Sequence, residues 1–239
     1  MTRREFLEAI AAGVAAALPL APAVAHSLPA ADDFYRLPPV RPKEITLLHF
    51  TDCHAQLMPM HFREPDTNIG VAAARNAPPH LVGYALLRHF GIKPGTPLAY
   101  AHTHLDFDEA AARYGKLGGF AHLMTLLRLV RAQRPEALLL DGGDSWQGSA
   151  TALWSEGRDM ISASKLLGVD MMTGHWEFTY GSERVMSAVS DELAGSIQFL
   201  AQNIRTADFG DPVFERYSLR LIKGVPVAII GPSELLSTQ

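Results

Sequence analysis

Leu47-Leu48-His49-Phe50-Thr51-Asp52-Cys53-His54 and Leu139-Leu140-Asp141-Gly142-Gly143-Asp144 share one pattern: an apolar run of strand length that ends abruptly in carboxylate or imidazole. Alternate residues of a strand point the same way, so Asp52 and His54 are placed to reach one ion together. Asp144 falls just past the end of the second run, the edge at which parallel α/β sheets gather their chemistry. A third stretch, Val169-Asp170-Met171-Met172-Thr173-Gly174-His175, brings another imidazole to another strand end. Carboxylates and imidazoles arriving from three strand ends suit one or two divalent cations of hard or borderline character.

Around these strands the sequence reads as alternating elements. Glu44 to Phe50 is the first strand. Leu123, Leu126, Leu127 and Val130 have helical spacing, which predicts a helix over Phe120 to Gln133 that Pro135 ends. Glu136 to Leu140 follows as a strand, then a helix over Arg158 to Leu167 and a strand over Val169 to Met172. Ser182 to Leu193 reads as a helix and Ile197 to Leu200 as a strand. Tyr217 to Ile222 and Val225 to Ile230 form a hairpin turning at Lys223-Gly224. This is an α/β layout with a largely parallel core. The stretch from about 59 to 116 is too long and too rich in Pro and Gly for a simple crossover, and reads as an insertion over the active face. It has short helical pieces at Leu81 to Phe90 and Glu109 to Tyr114. His102, His104 and Asp106 within it are ligand types to which the sequence assigns no role. His122, near the start of the Phe120 helix, reads as structural or solvent-facing.

The 239 residues suffice for one large domain, and a formal net charge of −4 argues against a nucleic-acid binder. The single cysteine, Cys53, excludes an internal disulfide and reads as a small buried apolar side chain. Thr2-Arg3-Arg4-Glu5-Phe6-Leu7 is a twin-arginine signature, followed by an Ala-rich apolar stretch and by Ala23-Val24-Ala25, a small-x-small cleavage pattern. The apolar stretch is too short for a comfortable membrane span. The expected organisation is a signal peptide over 1–25, a linker over 26–43 and one domain over 44–239, with a periplasmic mature protein that carries its metal out already folded.

Asp52-Cys53-His54, Gly143-Asp144, Gly174-His175-Trp176-Glu177 and Leu200-Ala201-Gln202-Asn203 resemble the motifs of the metallophosphoesterase superfamily, and within it the 5′-nucleotidase branch. There the corresponding segments read Asp-x-His, Gly-Asp, Gly-Asn-His-Glu and Leu-x-Ala-Asn. The likeness is closer to the SoxB family of thiosulfohydrolases. It is carried by the segments Thr51 to Leu57, Gly118 to Leu123 and Gly174 to Gly181, and it runs from about Glu44 to Ile230.

The resemblance implies a calcineurin-like αββα sandwich, of which this chain holds the N-terminal part. It also implies two divalent ions, manganese first, with zinc or iron compatible. By position, Asp52 and His54 bind the first metal, Asp144 bridges the pair, and His175 replaces the nucleotidase Asn on the second. Trp176 stands where nucleotidases carry a substrate-facing His, and an indole can donate a hydrogen bond but cannot transfer a proton at neutral pH. His175 and Trp176 are therefore the candidate catalytic residues, with Glu177 and Asp170 as candidates for orienting the ligands. The implied reaction is hydrolysis of a cysteine S-thiosulfonate on a SoxYZ-like carrier protein, with release of sulfate. A 5′-nucleotidase or phosphodiesterase and an inactive fragment are the alternatives. No histidine follows His175, whereas the family draws further ligands from a late Gly-His-x-His segment. The expectation is a C-terminally truncated chain with weakened metal binding and an exposed apolar sheet face.

Overall fold

The first parallel pair of strands starts where both partners begin, at Leu47 opposite Leu138. The computed structural model describes residues 37–233 apart from Pro42, so the signal segment 1–25 and most of the linker 26–43 lie outside the described residues. Four strands, β1 (Leu47–Phe50), β2 (Leu138–Asp141), β3 (Met171–Met172) and β4 (Gln198–Phe199), pair in sequence order, and every pairing is parallel. All four therefore release their chains at one edge of the sheet, which is where the loops at 51–57, 142–149 and 173–175 begin. The strands are shorter than the apolar runs that predict them, because residues before Leu47 and Leu138 have no ladder partner in this sheet.

Alternation along the strands sorts the sheet into two faces. Leu48, Phe50, Leu139, Met172 and Phe199 belong to the main core. Helices α4 (Phe120–Gln133) and α6 (Arg158–Leu167) add Phe120, Leu127, Met160, Ile161, Ala163 and Leu167 to that core, at the helical spacing the sequence shows. Both helices keep the bounds read from periodicity. Gly168 takes the left-handed conformation that ends α6, and Arg131 donates to the Leu167 and Gly168 carbonyls at 2.8 and 2.7 Å. Between β2 and α6 lies a short helix the sequence reading missed, α5 (Ala150–Ser155), started by Ser149 accepting from Ala152 N at 3.2 Å. The single helix expected over Ser182 to Leu193 is two pieces: α7 (Ser182–Ser187), then a π-helical turn over Ala188–Leu193.

Beyond β4, β5 (Tyr217–Ile222) and β6 (Val225–Ile230) pair antiparallel about Lys223-Gly224. Tyr217 lies opposite Ile230, Leu219 opposite Ala228 and Leu221 opposite Pro226, so six apolar residues share one face of the hairpin. That face is exposed: Tyr217, Leu219, Leu221 and Ile230 are 57%, 64%, 74% and 57% accessible.

The chain divides into two compact units, and residues 58–119 form the second of them. It contains α1 (Gly83–Phe90), α2 (Pro97–His102) and α3 (Phe107–Tyr114). α2 falls outside the two helical pieces that the sequence predicts for this stretch. Pro97 occupies the first turn of α2, where a missing N–H costs nothing, and Thr96 caps the helix by accepting from Ala99 N. Tyr100, packed between Phe107 and Tyr114, closes the unit by donating to the Gly115 carbonyl at 2.7 Å. No helix among the described residues is long and apolar enough to cross a membrane.

Candidate metal centre

Past Phe50 the β1–β2 partnership continues through main-chain bonds: Gly142 N donates to Phe50 O, Asp52 N to Gly143 O and His54 N to Asp144 O, at 2.8, 2.9 and 3.0 Å. The backbone carrying these bonds is no longer strand. Asp52, His54, Ala55 and Asp144 all take positive φ, at 54°, 48°, 51° and 54°. Strand alternation, the sequence argument for pairing Asp52 with His54, therefore does not apply. The two side chains are aimed by left-handed turns, a conformation that costs an L-residue about 1 kcal/mol or more and concentrates at functional sites. Gly148 holds this loop closely: its φ is +125°, and a Cβ there would lie 2.4 Å from the His54 carbonyl oxygen.

Asp52, Asp144 and His175 each offer one ligand atom, and these atoms all lie within 4.8 Å of one another. His175 Nδ1 is 3.6 Å from Asp144 Oδ2 and 3.9 Å from Asp52 Oδ1. Donors bound to one ion at about 2.1 Å can be at most about 4.2 Å apart, so the His175 imidazole is close enough to either carboxylate to share a divalent cation with it. His54 stands outside that set of three. Its Nε2 is 3.4 Å from Asp144 Oδ2, and its side chain is 60% exposed. Asp144 Oδ2 thus has two imidazoles within 3.6 Å. Gln147 Nε2 donates to Asp144 Oδ1 at 2.8 Å, and Thr51 Oγ1 donates to Asp52 Oδ2 at 2.6 Å, so each carboxylate has its rotation restricted by a neighbour.

Two further acids lie beneath the ligands. Glu177 is fully buried and accepts from the backbone N–H groups of Asp144, Ser145, Trp146 and His175. Asp141, the last residue of β2, accepts from Gly143 N and Ser145 Oγ on one oxygen, while its other oxygen is buried without a partner. Burial pushes the Asp141 carboxyl up to about 7, and the nearby Glu177 and Asp52 carboxylates push it the same way. Cys53 is half-buried with its Sγ 3.4 Å from Ser145 Oγ, and desolvation pushes the thiol up to about 11. A thiol so rarely ionised is a packing group rather than a nucleophile.

No family model matches the chain. Among solved structures, the sulfate thiohydrolase SoxB of Thermus thermophilus, in complex with glycerol, matches with a TM-score of 0.72 and 37% identity, over 83% of this chain and 36% of that one. The 5′-nucleotidase of Rattus norvegicus is 31% identical over 122 residues, 48% of this chain and 20% of the rat protein. This chain is a SoxB-like metallophosphoesterase of the 5′-nucleotidase family. The Haemophilus influenzae NAD nucleotidase shares its fold, with a TM-score of 0.52 at 18% identity over 81% of this chain. The SoxB-like chain thus has the calcineurin-like α/β fold, represented by its N-terminal part, and it is a hydrolase by lineage. It spans about a fifth of the rat enzyme and about a third of the SoxB structure.

The remaining candidates of the SoxB-like chain separate by their contacts. Trp176 opens a 3-10 turn over Trp176–Tyr180, is 38% exposed, and meets the His175 ring edge-on at 6.3 Å between centroids. Asp170 does not orient a ligand: it accepts from Leu139 N at 2.7 Å and faces Arg131 at 3.8 Å, tying β2 to β3. His122 is exposed on α4. In the second unit His102 is exposed at the end of α2, and a Cβ on Gly83 would lie 3.1 Å from the His104 ring. Sequence reasoning missed Gln147 and Thr51. Thr51 adjoins Asp52 and Gln147 follows Asp144 by three residues, but neither residue type announces a ligand clamp without the fold.

Proposed function

We propose that this SoxB-like chain carries the metal-binding loops of a periplasmic thiosulfohydrolase, which releases sulfate from a cysteine S-thiosulfonate on a SoxYZ-like carrier. The likeness to SoxB, at twice the identity of the solved NAD nucleotidase and with a far closer backbone match, is the observation that carries this reading. Asp52, Asp144 and His175 would hold a divalent ion, and His54 beside Asp144 would help hold a second. Manganese is the first candidate, and zinc or iron suit the same donors. When bound, such ions polarise the sulfone oxygens and make a water molecule more acidic.

The reaction balances without a redox partner. The water oxygen bonds to the terminal sulfone sulfur, the S–S bond breaks, the carrier's persulfide sulfur leaves with the electron pair, and both water protons are released with sulfate. Thr51 and Gln147 fix the two carboxylates, so the ligands need not reorganise during the reaction. Trp176 donates one hydrogen bond toward a sulfonate oxygen and moves no proton. The partly exposed ring leaves room for a carrier's cysteine arm to approach. The twin-arginine segment supports periplasmic delivery, which cell fractionation checks.

A second reading has its own support: the curated relatives are 5′-nucleotidases. The discriminating assay incubates the Mn2+-loaded chain with thiosulfonated carrier and, separately, with AMP. Sulfate release without phosphate release is expected. Phosphate release without sulfate release would establish the nucleotidase reading instead.

A further inference from the structure

The geometry points to Glu177 as a positioning residue that sets the spacing of Asp144 and His175 before any cation arrives. The inference rests on the proposed metal-binding role of those two residues. Glu177 Oε2 accepts from Asp144 N at 3.1 Å and from His175 N at 2.6 Å, so one oxygen atom joins the backbones of two ligand-bearing residues. Oε1 accepts from Ser145 N at 2.7 Å and Trp146 N at 3.3 Å, gathering the rest of the loop after β2. Successive N–H groups turned toward one point form an anion-binding concavity, and here the anion is supplied by the protein itself. The carboxylate is fully buried, so water does not compete for these donors.

The support for Glu177 is itself anchored. It lies in the 3-10 turn over Trp176–Tyr180, and the Tyr180 hydroxyl donates to the Trp146 carbonyl at 3.1 Å, a second tie between the same two loops. Glutamine cannot replace the carboxylate. Whichever way its amide turns, an NH2 group faces two N–H donors. Aspartate falls one methylene short. Both substitutions release Asp144 and His175 from a common reference point without altering the metal-binding side chains themselves.

The test measures Mn2+ affinity of the metal-free chain by electron paramagnetic resonance. Glu177→Gln is expected to weaken binding about 10- to 100-fold, as loss of a group supporting the ligands does. Measurement is made at a temperature where circular dichroism shows the variant folded. Val185→Ala, a fully buried residue of α7 with no part in the site, serves as the stability-matched control and keeps its affinity within about twofold. Equal losses in the two variants, or unchanged affinity in Glu177→Gln, would overturn the proposal.

Should Glu177→Gln fail to fold, amide hydrogen exchange on the unsubstituted chain decides the question. The amides of Asp144, Ser145, Trp146 and His175 should be protected without metal. Protection that appears only after Mn2+ is added would show that the ion, not Glu177, orders the loops. If the unsubstituted chain binds no Mn2+, the metal reading fails, and metal-free protection still reports whether Glu177 holds the loops.

Discussion

The loops at the C-terminal edge of the parallel sheet and the outer face of the β5–β6 hairpin are built on opposite terms. At the loops, polar groups are paired with one another: buried Glu177 takes four N–H donors, Gln147 holds buried Asp144, and at the surface Thr51 holds Asp52. On the hairpin, a paired apolar surface of Tyr217, Leu219, Leu221 and Ile230 is left in solvent. The difference teaches that ordering the site and covering the hairpin are separable problems. The hydrogen bonds to Asp52, Asp144 and His175 come from the loops after β1, β2 and β3, and Pro232 and Ser233, just past β6, bond Thr173 and Gly174 beside His175, whereas the hairpin's outer apolar residues take no part in these contacts.

The largest effect that would sharpen this contrast comes from Gly148, whose left-handed backbone passes under the His54 carbonyl. Gly148→Ala is expected to destabilise the fold by more than about 3 kcal/mol, read by urea unfolding, because strain and collision act together. A loss under about 1 kcal/mol would mean that the His54 loop can shift freely.

Next is Asp141. Its folded-state pKa, about 7, lies above the ordinary 3.8, so the folded chain holds a proton that the unfolded chain has released between these values. Stability of the metal-free protein therefore falls as pH rises from about 4 to about 7, by up to a few kcal/mol, and levels off above. Asp141→Asn keeps an acceptor for Gly143 N and Ser145 Oγ and should remove that decline, making the variant more stable than the parent at pH 8. Parallel unfolding free energies for the two proteins across pH 4 to 8 would contradict the assignment.

Thr51→Val deletes the hydrogen bond to Asp52 and the longer one to the Gly143 carbonyl at 3.3 Å. Stability should change by about 1 kcal/mol while Mn2+ affinity drops severalfold, measured by the same resonance titration. The smallest effect belongs to the hairpin. Leu219→Lys with Leu221→Glu should leave unfolding free energy within about 0.5 kcal/mol and metal affinity unchanged, while raising the concentration at which the chain stays monodisperse in light scattering. A loss of metal affinity in that double variant would break the separation of the two regions.

The residues that were legible in the sequence are those whose signal is local. The spacing of Leu123, Leu126, Leu127 and Val130 gave α4 its limits, and Lys223-Gly224 located the hairpin turn. Asp52, Asp144 and His175 declared themselves by ending apolar runs. The positive φ values at Asp52, His54 and Asp144 were not legible, because an alternating pattern says nothing about where a strand gives way to left-handed turns. α2 and α5, six residues each, are too short to show a helical period. The role of Glu177 was out of reach for another reason. Three of its four donors lie 31 to 33 residues earlier in the chain, and only the parallel pairing of β2 with β3 brings them to it.

The most direct test of the account is a Mn2+ titration of the metal-free chain beside Asp52→Asn, Asp144→Asn and His175→Ala, followed by electron paramagnetic resonance. The account predicts saturable binding by the unsubstituted chain and a loss of at least about tenfold in affinity in each variant. Binding that survives all three substitutions unchanged, or a parent chain that binds no Mn2+, would contradict it.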